Sequence, residues 1–334
     1  MTFGNFLEWF IKSLVLILSL TVGFAYVTLF ERRVLARFQV RIGPNRAGKF
    51  GLLQPVADAL KLIFKEELIP AKADKLLFVI APVITMIPAL IITGVVPWGP
   101  PITLFGKTFT LSVADINLGA LYILTVTSIS IYGITLAGWS SNNKYATMGG
   151  LRATAQMISY ELALGLSFIG PILLAESMSI NDIIVAQKDL WFVVLQPLAA
   201  VIYMTAAIAE INRSPFDMPE AEQELTAGYH TEYSGMKFAL FFMAEYIKMI
   251  AISMIGASVF LGGYQGPFLD QAPWLGPIWL FIKVIAILFF IVWLRATLPR
   301  IRYDRLMAFG WKILFPLALL NVMVTALVVT LTGG

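Results

Sequence analysis

Between Glu210 and Glu232 the chain carries six carboxylates, those of Glu210, Asp217, Glu220, Glu222, Glu224 and Glu232, and one arginine, Arg213. Six negative charges against one positive leave −5, with His230 counted neutral, in a chain of which only 13% is charged. Acids crowded in a low-dielectric setting repel one another's ionised forms, so they exchange protons instead of ionising together. More ionisable groups stand inside apolar runs. Glu161 follows Arg152-Ala-Thr-Ala-Gln-Met-Ile-Ser-Tyr, Glu245 and Lys248 are three apart and share a helix face, and Lys283 has no partner nearby in sequence, so its role stays open. At such depth an ionisable group is costly and faces the protein interior or water. The chemistry that suits the set is proton exchange, with Arg213 as a movable counter-charge. Plainer readings stand beside it: Glu161 reaching for the interface, Glu245 and Lys248 neutralising each other, and Asp217-Met218-Pro219-Glu220 marking a helix start. The capping reading covers Asp217 and Glu220, and leaves Glu210 and Glu232 unexplained.

The elements that must hold these groups are membrane spans. A chain of 334 residues that is 59% hydrophobic, with a mean hydropathy of +0.82, has more apolar surface than one water-soluble core can hide. The apolar runs are about 20 residues long without strand-like alternation, which predicts helices and an all-α polytopic fold. Eight spans are expected, at 10–30, 76–96, 118–137, 156–175, 191–209, 238–261, 276–296 and 311–331, in one integral membrane domain over 1–334. Pro82, Pro88, Pro171, Pro197 and Pro316 fall inside or at the ends of spans and predict kinks. The first run ends in Phe30-Glu31-Arg32-Arg33, not in a small-residue cleavage site, and reads as a retained span. There is no cysteine and one histidine, which excludes thiolate-ligated iron–sulfur clusters, disulfides, and a haem with two histidine ligands from one chain. No repeat relates the halves, which weighs against a standalone secondary transporter.

Charge placement sets an orientation. Arg32, Arg33, Arg37, Arg41 and Arg46 crowd the connection after the first span and Arg295, Arg300, Arg302 and Arg305 that after the seventh, whereas the opposite face has Lys12, Lys107 and Lys188. The basic loops are expected on the cytoplasmic side and both termini outside, as in a bacterial plasma membrane. In 52–65, Leu52, Leu53, Val56, Ala59, Leu60 and Ile63 share one side of a helical wheel and Gln54, Asp58, Lys61 and Lys65 the other. That predicts an amphipathic helix lying at the interface.

Four segments carry a resemblance: Glu31-Arg32 through Arg41-Ile-Gly-Pro-Asn, Gly51-Leu-Leu-Gln-Pro-Val-Ala-Asp58-Ala-Leu-Lys61, Glu210-Ile-Asn-Arg213-Ser-Pro-Phe-Asp217-Met-Pro-Glu220-Ala-Glu222, and Arg295-Ala-Thr-Leu-Pro-Arg300-Ile-Arg302-Tyr-Asp304. In this order they resemble the H-type membrane subunit, also called subunit 1, of the proton-translocating NADH:quinone oxidoreductase, respiratory complex I, across essentially the whole chain. The resemblance implies an eight-helix subunit without a redox centre of its own, active only within the complex. Quinone is the substrate, while FMN and iron–sulfur clusters are on partner subunits. It implies docking of hydrophilic-arm subunits, which bring the terminal cluster and the lid of the quinone site, and of small and antiporter-like membrane-arm subunits, with no nucleic acid involved. Positions matching Glu31, Arg32, Arg41, Asp58, Ala59, Arg295 and Arg300 lie at or near the quinone passage in that family. Those matching Glu161, Glu210, Asp217, Glu220, Glu222, Glu224, Glu232 and Glu245 line an acidic route toward the membrane arm. Homologous subunits of a membrane-bound hydrogenase, or of a photosynthetic dehydrogenase or one linked to ferredoxin or coenzyme F420, are the alternative.

Overall fold

A computed structural model of the chain describes residues 3–104, 107–217, 227–269 and 271–332. It is an all-α polytopic membrane protein. Among the described residues seven helices are long and apolar enough to cross a bilayer, and one apolar helix is shorter. In chain order the main helices are α1 (Phe3–Phe38), α2 (Gln54–Ile63), α3 (Lys75–Ile91), α4 (Gly119–Ser140), α5 (Lys144–Ala175), α6 (Pro197–Glu210), α7 (Gly235–Phe260), α8 (Gly276–Thr297) and α9 (Phe315–Thr332). A two-stranded antiparallel hairpin, Ile102–Leu104 with Lys107–Phe109, lies in the connection between α3 and α4.

Local chemistry sets the helix ends. Asp74 caps α3 by accepting from the backbone N–H of Leu76 and Leu77, and Asn143 caps α5 by accepting from Tyr145. Helix α7 is the hub. Two-thirds of its most apolar stretch is buried, against 22% for α1, because α7 packs on α1, α3, α6 and α8 while α1 keeps one side free. A second group gathers on α5, which packs against α4, α6 and α9. Small residues allow the closest approaches: a Cβ on Gly149 of α5 would lie 2.6 Å from the Cα of Gly228, so the loop before α7 rests directly on α5.

The fifth span differs from the expected 191–209. It is split at Gln196, whose φ of −129° and ψ of 54° are not helical, into a short turn Phe192–Leu195 and helix α6. Pro197 sits in the first turn of α6 instead of kinking a longer helix, since it has no N–H to continue one. Gln196 is anchored from α9: its Oε1 accepts from Asn321 at 3.1 Å and its Nε2 donates to Thr325 at 2.9 Å. At about 1.5 Å per residue, the 14 residues of α6 rise roughly 21 Å, short of a ~30 Å hydrocarbon core. Glu210, its last residue, therefore ends up 1% exposed inside the bundle, not at a surface.

Lys283 also finds its place in the fold. Its ammonium donates to the carbonyls of Leu261, Gly263 and Gln265 at 2.6, 2.8 and 2.6 Å and lies 4.8 Å from the centre of the Trp191 ring. Those carbonyls belong to the turn that follows α7, so Lys283 binds the end of one span from the next.

Candidate functional site: a buried line of charges beside an apolar cavity

Helix α2 carries its apolar face uncovered, with Val56, Leu60 and Ile63 all exposed, as the wheel predicts. Between α2, α1 and α7 lies a cavity of about 350 Å³ with Phe24, Ala59, Phe242 and Met243 among its walls. Its polar corner is an ion pair, Arg32 Nη1 to Asp58 Oδ2 at 2.7 Å, and Gln54 donates to the other oxygen of Asp58 at 3.1 Å. Arg41 stands apart: it donates to Gln39 at 2.6 Å and lines a separate basin of about 810 Å³ with Arg33, Arg37 and Asn45.

Glu31 precedes Arg32 on α1, so its side chain points about 100° away, into the bundle. There it is 3% exposed. It accepts a hydrogen bond from Arg295 of α8, and Arg213 Nη1 lies 3.6 Å from the same oxygen. Arg213, 5% exposed, places its Nε 2.6 Å from Glu245 of α7 and its guanidinium 4.3 Å above the Tyr246 ring. Tyr246 in turn packs on Phe242 and Phe24, with centroids 4.7 and 5.9 Å away. The same aromatic group thus forms the cavity wall and the seat of Arg213. At the loop end, Arg300 pairs with Asp217 at 3.2 Å.

Beyond Glu245 the line continues with Lys248, which donates to Ser130 of α4 at 2.5 Å. Its charge acts on Glu210, Glu245 and Glu161 together. Glu161, halfway along α5, accepts a hydrogen bond from Ser128, and both line an open groove of about 630 Å³ between α4 and α5. Both oxygens of Glu210 are buried and accept no hydrogen bond from the described residues. The segment after α6 is fastened by Gln156 of α5, which donates to the carbonyls of Ala209 and Phe216, both at 2.8 Å.

Glu31, Arg213, Glu245 and Arg295 are thus brought together by direct contacts, Glu210 is buried at the end of α6, Glu161 lines the groove between α4 and α5, and Arg32, Asp58 and Ala59 meet at the cavity. Glu232 lies elsewhere, accepting from the α5 cap Asn143 at 2.6 Å beside Tyr233. Burial pushes the Tyr233 phenol up to about 12, so it stays a donor, to the carbonyl of Phe78 at 3.2 Å. Glu220, Glu222 and Glu224, and the helix start expected after Asp217, lie outside the described residues. Sequence reasoning did not single out Gln156, Ser128 or Ser130. The available signal was a lone amide and two hydroxyls inside apolar spans. The spacing of Glu245 and Lys248 allowed them to neutralise each other; Glu245 takes Arg213 from a distant loop, and Lys248 donates to Ser130 while it stays in the field of Glu245.

Guanidinium, ammonium and carboxylate groups set inside the spans of a helical membrane protein, next to an apolar cavity with one polar corner, define a polytopic membrane protein with a candidate functional site in its bundle. A sequence model of the NADH dehydrogenase family matches residues 11–326. An H-type subunit of NADH-quinone oxidoreductase from Geobacter metallireducens is 51% identical over 320 residues, covering 96% of this chain and 95% of that one. The H-type subunit of Thermomicrobium roseum is 51% identical over 94% of this chain and 96% of its own. NADH-quinone oxidoreductase subunit 8 of Thermus thermophilus is 51% identical over 96% and 87%. The chain belongs to the NADH dehydrogenase family, in the branch formed by the H-type membrane subunits of NADH-quinone oxidoreductase.

Proposed function

We propose that the chain is the membrane subunit of complex I that forms the quinone-binding chamber and passes the effect of quinone reduction into an acidic path toward proton translocation. The observation that carries this reading is the adjacency of Glu31 and Arg32. Consecutive residues of one helix serve the polar corner of the cavity and the first ion pair of the buried line.

In this account a long isoprenoid quinone slides its tail into the apolar cavity between α1, α2 and α7, and its headgroup moves toward Arg32 and Asp58 and the loops carrying Arg41, Arg295 and Arg300. Electrons come from the terminal iron–sulfur cluster of the hydrophilic arm, fed by FMN; this chain binds neither. Reducing a quinone by two electrons creates a demand for two protons. That change of charge is felt by Glu31, and Arg213, shared between Glu31 and Glu245, redistributes toward whichever carboxylate is more negative. Glu210 and Glu161 respond next and hand the change to small and antiporter-like membrane-arm partners. Asp217, Glu220, Glu222, Glu224 and Glu232 are assigned to the route by family resemblance. The basic loops face the cytoplasm and both termini the exterior.

Filling the cavity tests the quinone half of the reading. Ala59→Phe in the assembled enzyme is expected to lower turnover with a long-tailed quinone about tenfold, while a short-tailed analogue that does not need the whole cavity keeps its rate within about twofold. Equal rates with both substrates would remove the cavity from the quinone path.

A further inference from the structure

Helix α1 has a cavity on each of two opposite faces. Thr21, Phe24, Ala25 and Thr28 line the one beside α2. A second cavity, of about 440 Å³ between α1, α7 and α8, is lined by Ser19, Gly23, Tyr26 and Phe30. At about 100° per residue the two sets fall on opposite sides of the helix, so α1 is the wall between them. The surface of the second cavity is almost wholly hydrocarbon, and the hydroxyl of Ser19 is spent on the carbonyl of Leu16 at 2.8 Å. Tyr26, with Phe281 and Ile285 of α8, is exposed in its wall, so the cavity opens sideways to the bilayer. From Ser19 to Phe30 it follows α1 for roughly 16 Å at about 1.5 Å per residue, half of a ~30 Å hydrocarbon core and so the depth of one leaflet. Beyond Phe30 the same face of α1 turns basic. Arg33 and Arg37 continue the stripe of Ser19, Gly23, Tyr26 and Phe30 in steps of three and four, and they line the basin of about 810 Å³, whose walls hold no carboxylate. Arg32, on the other face, is paired with Asp58, whereas Arg33 and Arg37 form no ion pair among the described residues.

An apolar slot one leaflet deep that ends at two guanidinium groups fits an amphiphile with a long apolar tail and an anionic head. Left empty, the slot would forfeit the dispersion contacts of its walls, and the bilayer supplies chains to fill it. We propose that it is a binding site for an anionic phospholipid of the leaflet on the side of the basic loops. One acyl chain lies along the face of α1 from Ser19 to Phe30, and the phosphate sits at Arg33 and Arg37. A planar guanidinium fork matches phosphate oxygens two at a time, and anionic headgroups gather beside cations at the membrane surface. Other apolar occupants fit less well. A partner helix about 10 Å across would fill about 1,250 Å³ over the same length, nearly three times the cavity. An oxidised quinone has a tail for the slot but no negative charge for the two arginines. The site needs only the spans and the basic loops, and it stands whether or not the cavity beside α2 admits quinone.

Photolabelling of the assembled enzyme in lipid nanodiscs tests this, using phosphatidylglycerol or phosphatidylcholine with a diazirine in mid-chain and mapping the labelled peptides. Phosphatidylglycerol is expected to label α1 between Ser19 and Phe30 at about fivefold or more the level given by the same amount of phosphatidylcholine. The Arg33→Gln/Arg37→Gln double variant is expected to bring the two lipids level, and Arg33→Lys/Arg37→Lys to keep most of the preference. Ile285→Trp, which fills the slot from its exposed edge, is expected to remove the label from α1 with either lipid. Equal labelling by the two lipids in the unaltered enzyme, or a label that survives Ile285→Trp, would overturn the site. Displacement of the label by a long-tailed quinone would give the slot to quinone instead, and no label on α1 with either lipid would give it to a partner subunit. Should the double variant fail to assemble, Arg37→Gln alone is expected to lower the preference at least about twofold; an unchanged preference there would remove the arginines from the site.

Discussion

Lys283 and Lys248 lie on neighbouring spans, α8 and α7, and both are more than nine-tenths buried. Their surroundings have little in common. Lys283 aims its three donors at three backbone carbonyls and sets its charge near an indole ring, so every proton has a fixed acceptor. Among the described residues Lys248 has one serine partner and stands in the field of Glu161, Glu210 and Glu245. Burial alone therefore does not mark a functional cation. A fully bonded ammonium holds a turn in place, whereas Lys248 has a single serine partner among the described residues.

The largest effect that would sharpen this contrast is Lys283→Met. Three carbonyls lose their charged donor, which costs about 3 kcal/mol or more. A lower melting temperature and a smaller yield of assembled complex are expected, while whatever assembles keeps its normal number of protons pumped per quinone reduced. Loss of pumping without loss of stability would erase the distinction between the two lysines. A smaller effect is expected from Arg295→Gln, because that side chain is one-third exposed and Glu31 retains Arg213 nearby. Quinone turnover is expected to fall about tenfold, or ~1.4 kcal/mol, with assembly preserved. Loss of assembly with normal turnover in the remainder would assign Arg295 to docking of the hydrophilic arm.

Much of the fold was legible because a bilayer imposes a length and an apolarity on each span, and the seven long helices follow from that. The split fifth span was not. An average over 191–209 cannot see that Gln196 leaves the helix, because its partners Asn321 and Thr325 lie 125 and 129 residues further along. The acids stood out for a related reason: Glu161, Glu210 and Glu245 are anomalies against an apolar background. How they pair was hidden. Arg295 and Glu31 are 264 residues apart in sequence, and the spacing of Glu245 and Lys248 pointed to a local pair where the packing of α1, α4 and α7 supplies other partners. Glu232 shows how a run in sequence divides in space. It shares the acidic stretch in sequence, yet the turn before α7 carries it to the cap of α5.

The proposed coupling of quinone reduction to proton movement runs through the carboxylates of Glu161 and Glu210. The most direct test is proton translocation per quinone reduced in the assembled enzyme carrying Glu161→Gln or Glu210→Gln, each of which keeps size and hydrogen bonding but cannot ionise. Protons pumped per quinone are expected to fall at least severalfold in both variants, with quinone reductase activity reduced alongside. Unchanged turnover and an unchanged pumping ratio in both would contradict the account.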